Sequence, residues 1–189
     1  MKYLVSQGAD VLEKYNHGYT LLHHVALQDS NYHPVVDILE YLVSQGVDVN
    51  AKENRGLTTL HHAAGHNRTV AVVEYLVSQG ADVNAKDDED NTPFHCAAGA
   101  CQNIDVLEYL VSQGADVNAV NGKGQTLLHC AAEGYSSVEV LEYLISLDID
   151  VNAKDNSGKT PLDVVSADYN FAKAKRAILL ASGGKPGSK

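Results

Sequence analysis

The side chains with the most chemistry in them are nine histidines and three cysteines, and their spacing limits what that chemistry can be. His23, His61, His95 and His129 fall at one recurring position, 38, 34 and 34 residues apart, with Asp163 taking the same position a further 34 residues on. Zinc ligands converge within about 2 Å of the metal. Equivalent positions in successive packed helices lie about 10 Å apart, so the histidine ladder is not one metal centre. The pairs His23-His24 and His61-His62 point to different sides of a helix. Cys96 and Cys130 are also equivalent positions, too far apart for the Cα separation of under about 7 Å that a disulfide needs. They read as small buried thiols in a reducing compartment. Cys101 reads as a loop thiol open to solvent, with nothing beside it in the sequence to activate it. Residues 87–90, DDED, resemble a calcium loop but lack its central Gly and its terminal bidentate Glu, which leaves a solvated acidic turn. Asn67-Arg68-Thr69 has the form of a glycosylation acceptor. No phosphate loop, nucleophile elbow or paired carboxylates are present. The expectation is a protein that is not an enzyme, with no catalytic, metal-binding or cofactor-binding residues.

Composition narrows the class further. The chain has 189 residues, 44% of them apolar, which suits a folded chain rather than a disordered one. With no Trp and two Phe, large aromatics do not build the core. A formal charge of −10 disfavours nucleic acid, whose binders cluster Lys and Arg, and favours a partner with a neutral or basic surface. No apolar run approaches the roughly 20 residues of a membrane helix, so no membrane association is expected. The unpaired thiols point to the cytoplasm, and a monomer is expected.

The elements that would carry these side chains repeat. YLVSQGADVNAK at Tyr75 has counterparts from Tyr3, Tyr41, Tyr109 and Tyr143, at separations of 38, 34, 34 and 34 residues. A fixed period of this size marks a stack of units that cannot bury their apolar faces alone. In the unit from Asn84 to Val117, Thr92-Pro93 starts a short, alanine-rich helix. Ile104, Leu107, Leu110 and Val111 then share one face of a second helix, with Glu108 and Gln113 outward. Gly114 ends it in a left-handed conformation, and the Gly/Asn/Asp-rich stretch that follows is extended and turn-forming. The period alone also fits tetratricopeptide repeats, but those have longer helices, large aromatics and no such connection.

GYTLLHHVA from Gly18, GLTTLHHAA from Gly56, DNTPFHCAA from Asp90, GQTLLHCAA from Gly124 and GKTPLDVVS from Gly158, each followed by a second helix and a GADVN-like turn, resemble the ankyrin repeats. The resemblance covers almost the whole chain. It implies an all-α solenoid of helix-turn-helix units joined by hairpin-like loops, with a concave face that grips other proteins. It also implies that the recurring histidine ties hairpin to helix start by hydrogen bonds. Each unit is one residue longer than the usual 33, between its helices. Asp90 and Asp148 stand where glycine is expected, and looser local structure is expected there. Asn50, Asn84, Asn118 and Asn152 match an asparagine that some ankyrin repeats present to a hydroxylase, although a structural hairpin role is the expectation here.

The division read from these motifs is a partial repeat over 1–11, repeats over 12–49, 50–83, 84–117 and 118–151, a capping repeat over 152–183, and a flexible tail over 184–189. Residues 2–5 match the middle of a repeat, so a native start upstream of Met1 is expected. In the last helix Lys173, Lys175 and Arg176 are expected on the outer side. What recurs is scaffold; what changes between copies is available for binding. The changing positions lie at the hairpin tips and beyond the first helix of each unit. By this filter the partner-binding candidates are His17, Tyr19, Tyr32, His33, Arg55, Leu57, His66, Arg68, Glu89, Asn91, Gln102, Lys123, Gln125 and Tyr135. Tyr32, His33 and Pro34 fall in a four-residue insertion, LQDSNYHPVVD, and are the sharpest local expectation. The function expected is non-catalytic protein binding as an adaptor. The alternative is an accessory or targeting region of a larger enzyme or effector whose active domain lies upstream of Met1.

Overall fold

The computed structural model describes residues 10–28, 35–66, 70–166 and 171–187. Four successive periods fold as a hairpin, an inner helix and an outer helix. The inner helices are α1 (Leu21–Ala26), α3 (Thr59–His66), α5 (Pro93–Ala100) and α7 (Leu127–Glu133). The outer helices are α2 (Val35–Ser44), α4 (Val70–Ser78), α6 (Ile104–Ser112), α8 (Val138–Ser146) and α9 (Ala172–Ala181). Among the described residues the only β pairing is two isolated bridges, Lys52 with Thr58 and Val120 with Thr126. The fold is an all-α repeat solenoid.

The helices form where the sequence places their caps. Thr92 holds extended backbone ahead of α5 and its hydroxyl accepts the His95 N–H, with Pro93 filling the first turn, where a missing donor costs nothing. Inner helices then pack closely on inner helices through Ala63, Ala64, Ala97, Ala98, Ala131 and Ala132, all essentially inaccessible. A Cβ at Gly65 would already press on the Cys96 carbonyl oxygen at 3.4 Å. The outer helices α2, α4, α6 and α8 send their leucines inward: Leu39 and Leu42, Leu76, Leu107 and Leu110, Leu141 and Leu144 are fully buried. Burying each contributes about 1.5–3 kcal/mol, and the surface that buries it belongs partly to the next unit.

Polar bonds repeat with the same period. Asn50 Nδ2 donates to the Gly80 carbonyl at 2.9 Å while its Oδ1 accepts the Asp82 N–H at 2.9 Å. Asn84 clasps Gly114 and Asp116 in the same way, and Asn152 clasps Gly183 and Lys185. These asparagines are structural clasps between successive loops. The glycines they reach end the outer helices in left-handed backbone, at φ 89° for Gly80 and 85° for Gly114. Asp148 takes that conformation at φ 58° and Asp90 takes the hairpin's at φ 60°. Both keep the local turn bond, Asp148 N–H to Ile145 O at 3.2 Å and Asp90 N–H to Asp87 O at 3.1 Å. The expected loosening is therefore confined to one place. Asn118, whose clasp would close on Asp148, is held only through its own N–H to Asp116, at 2.9 Å, among the described residues.

The C-terminal end corrects one expectation. Lys175 does not face outward with Lys173 and Arg176: it is 2% exposed. Its ammonium donates to Ala131 O at 2.6 Å and Gly134 O at 2.8 Å, at the C-terminal end of α7, where free carbonyls carry the negative pole of the helix. Burial pulls it down to about 8, which leaves it charged at neutral pH. The inner helix of this last unit shrinks to a turn over residues 161–164. Asp163 replaces the ladder histidine and accepts from Thr160 N–H at 2.9 Å and from Gly187 N–H at 2.7 Å. Residues 183–187 thereby run along the last unit, with Thr160 Oγ1 donating to Lys185 O at 2.8 Å.

Relief of the strained turn is measurable. Asp148→Gly is expected to stabilise the chain by about 1 kcal/mol, since left-handed backbone costs a non-glycine residue on that order. That corresponds to a rise in Tm of about 2–4 °C for a chain of this length. The reverse change, Gly114→Asp, should lower Tm by a similar amount; scanning calorimetry on both variants reads the difference.

Candidate functional site

Three sets of bonds hold the hairpins in register. Within each hairpin the backbone closes on itself, as in Glu53 N–H to Leu57 O at 3.0 Å and Asp87 N–H to Asn91 O at 3.0 Å. A side-chain acceptor then braces the tip from inside. Asp87 Oδ1 accepts the N–H groups of Glu89 and Asn91 at 2.9 and 2.8 Å, and Glu53, Asn121 and Asp155 do the same in their own hairpins. Asp87 is therefore a buried structural carboxylate, not part of a solvated acidic turn. Glu53, Asp87, Asn121 and Asp155 recur at a period of 34, but because they share only the ability to accept, the set was not singled out from the sequence. Hairpins finally bond to one another along the backbone: Asn54 N–H to His17 O, Asp88 N–H to Arg55 O, Gly122 N–H to Glu89 O and Asn156 N–H to Lys123 O, at 2.7–3.0 Å.

The histidine ladder joins these hairpins to the inner helices. His95 Nδ1 accepts the Thr92 N–H at 3.2 Å, which fixes the neutral ring with its proton on Nε2. Nε2 then donates to Gln125 O in the next hairpin, at 3.4 Å. His23, His61 and His129 repeat this with Leu57 O, Asn91 O and Lys159 O at 3.3, 3.0 and 3.0 Å. Burial lowers the pKa of His23, His61 and His95, in keeping with neutral rings. Among the described residues no group of three or more His, Cys, Asp or Glu is placed to hold a metal ion.

Between tips and inner helices runs a groove of about 420 Å³ spanning three units, from Arg55 and His66 to Glu133 and Gly134. Its floor is small: Gly65, Gly99, Ala100 and the thiols of Cys96 and Cys130. Burial pushes both thiols up to about 12, away from any nucleophilic role. Cys101 is not open to solvent as expected; it is 2% exposed, and burial raises it too. His62 also lines the groove. It is 8% exposed, its Nε2 has no partner among the described residues, and it is lowered to about 4 by burial first and then by His23, His66, His61 and Arg55.

The candidates divide by place. Arg55, Leu57, His66 and Asn91 line the groove. His17 and Tyr19 belong to a second cleft of about 470 Å³ with Tyr15, His24 and Leu27, where the Tyr19 ring lies 5.4 Å from those of His23, His24 and His62. Glu89 and Lys123 bond to each other at 2.9 Å across adjacent tips. Asn91 and Gln125 meet at Asn121 Nδ2, at 2.9 and 3.2 Å, and Gln125 also donates to Glu133 at 3.2 Å. Gln102 is exposed beyond α5, and Tyr135 is 63% exposed with its N–H on Gly99 O at 2.8 Å. Tyr32, His33 and Arg68 lie outside the described residues. The groove histidine His62 was missed as a candidate, because at its position the other units carry His24, Cys96 and Cys130, and it was weighed only as a metal ligand.

A scan against protein-family models matches the family described as "Ankyrin repeats (3 copies)" over residues 24–121 and 100–188. The chain belongs to the ankyrin repeat family. A search of curated proteins returned no significant match. Ankyrin repeats generally mediate protein–protein interaction, and the groove lies on the face of this ankyrin stack where inner helices and hairpin tips meet. No helix among the described residues is long and apolar enough to cross a membrane.

Lowered histidines make an acid limb in the stability of this ankyrin stack. The unfolded chain takes up protons as pH falls through 6.5, while the folded chain resists until about 4 at His62. Stability is therefore present in full above pH 6.5 and is lost as pH falls. His62 alone accounts for on the order of 2–3 kcal/mol of that loss. Denaturant titrations between pH 7.5 and 4.5 should give His62→Leu a visibly flatter limb than the wild type.

Proposed function

We propose that the chain is a non-catalytic adaptor that binds another protein along the groove between its inner helices and hairpin tips. The observation that carries this reading is the contrast between frame and lining. The histidines, asparagine clasps and brace acceptors recur in successive units, while the lining changes from Arg55 and His66 through Asn91 to Glu133 along one continuous depression. Repetition without variation is what stacking requires; variation on a fixed frame is what recognition requires. The buried thiols and the neutral, hydrogen-bonded histidines are engaged in structure, which favours binding over catalysis. A net charge of −10 favours a protein partner over nucleic acid. Cytoplasmic action as a monomer accords with three cysteines that form no disulfide and with helix leucines buried within the chain among the described residues.

Affinity capture from a lysate of the source cells tests the surface. Arg55→Ala with His66→Ala and Tyr135→Ala should lose a protein that the wild type retains, with a loss of about tenfold or more in affinity if any of the three is an anchor. Glu74→Ala with Glu108→Ala, on the exposed side of the outer helices, should retain it. Equal capture by all baits would remove the groove from consideration.

A further inference from the structure

The groove runs against the charge of the whole chain. At its Arg55 end it is bordered by Arg55, His62 and His66, and the carboxylate that lines it, Glu133, stands at the opposite end. The nearby acids are already engaged. Asp87 accepts from Glu89 and Asn91, Glu53 accepts from the N–H groups of Arg55 and Leu57, and Glu89 and Asp90 pair with Lys123 and Lys86; the Asp87 charge still reaches the floor at Cys96, one unit along from Arg55. Asp88 is exposed and its N–H bonds to Arg55 O, but its carboxylate sits against Gly56 and does not line the groove. Arg55 is exposed, and its guanidinium pairs with no acid among the described residues. His62, nine-tenths buried with an unpartnered Nε2, lines the same end of the groove, and the permanent charge acting on it is Arg55.

We propose that the Arg55 end of this groove takes an acidic peptide segment of a protein partner, its carboxylates over Arg55 and His66 and its backbone against Gly65, Gly99 and Ala100. This rests on the concave-face reading above and replaces the neutral or basic partner that net charge suggests. Arginine presents a planar fork that matches a carboxylate in a bidentate pair. The small floor lets an extended backbone approach. The repulsion from the acidic outer surface is screened beyond about 8 Å at physiological salt, so the local field decides. A single arginine beside a neutral histidine is too little for a polyphosphate chain, whose binders place several Lys or Arg along it.

A random dodecapeptide library displayed on phage and panned on the full chain tests this. Selected peptides should carry more Asp and Glu than Lys and Arg, and synthetic copies should bind about three- to tenfold more weakly to Arg55→Glu, with an intermediate loss for Arg55→Gln. Unchanged circular dichroism and Tm confirm folding of both variants. Net-positive or uncharged peptides, an empty selection, or acidic peptides indifferent to Arg55 overturn the proposal. Basic peptides that are nonetheless lost in the Arg55, His66 and Tyr135 alanine variant would overturn the acidic partner and leave the groove as the binding face.

Discussion

The bond on which the rest of this structure depends is the one from a histidine Nε2 to a carbonyl of the neighbouring hairpin. Its ring must be neutral, because Nδ1 accepts the threonine N–H that opens the same unit's inner helix. One side chain thus caps its own helix and anchors the next unit's turn. No unit owns a complete core, so helix capping, turn formation and stacking must be satisfied together. This explains why the histidine recurs without becoming a metal site: both nitrogens are already committed.

Recognition is possible because the scaffold is finished without the tips' side chains. Hairpins are held by backbone bonds and by a brace acceptor that can be Glu53, Asp87, Asn121 or Asp155. The side chains at the tip and at the end of the inner helix then carry little of the folding free energy. Arg55 can project, while Glu89 and Lys123 can pair across neighbouring tips, without altering the hairpins beneath them. The alanine and glycine needed for close helix approach also make the floor of the groove small. A packing requirement and the proposed binding surface therefore have one origin.

The parts legible in the sequence were those with a local cause repeated at fixed spacing. Thr92-Pro93 marks a helix start, Gly114 marks a helix end, and the leucines of α6 fall on one face, each for a reason contained in a few residues. The positions of Asp87, Cys101 and Lys175 were not legible. Their environments are set by contacts that the chain's local pattern does not encode. Asp87 looks solvated beside three other acids until the hairpin folds over it. Cys101 is covered where the chain crosses from inner to outer helix. Lys175 reads as one of three outward cations, and its burial depends on carbonyls some forty residues earlier.

The end of the stack shows how strongly stacking dictates chemistry. In the middle, Gly99 O at the end of an inner helix receives the N–H groups of Tyr135 and Ser136 from the next unit, at 2.8 and 3.2 Å. At α7, Lys175 of the following outer helix brings its ammonium to Ala131 O and Gly134 O. A charged donor at a helix C-terminus recovers from the dipole and the carbonyls part of what it loses in hydration, so a lysine can be buried there where a leucine would leave carbonyls unpaired. Asp163 follows the same logic: where the other units place a histidine that reaches the next hairpin, this acceptor takes up the Gly187 N–H instead. These departures from the repeat are thus the same constraint met by other side chains: Ala131 O and Gly134 O are paired by a lysine, and Gly187 N–H by an aspartate.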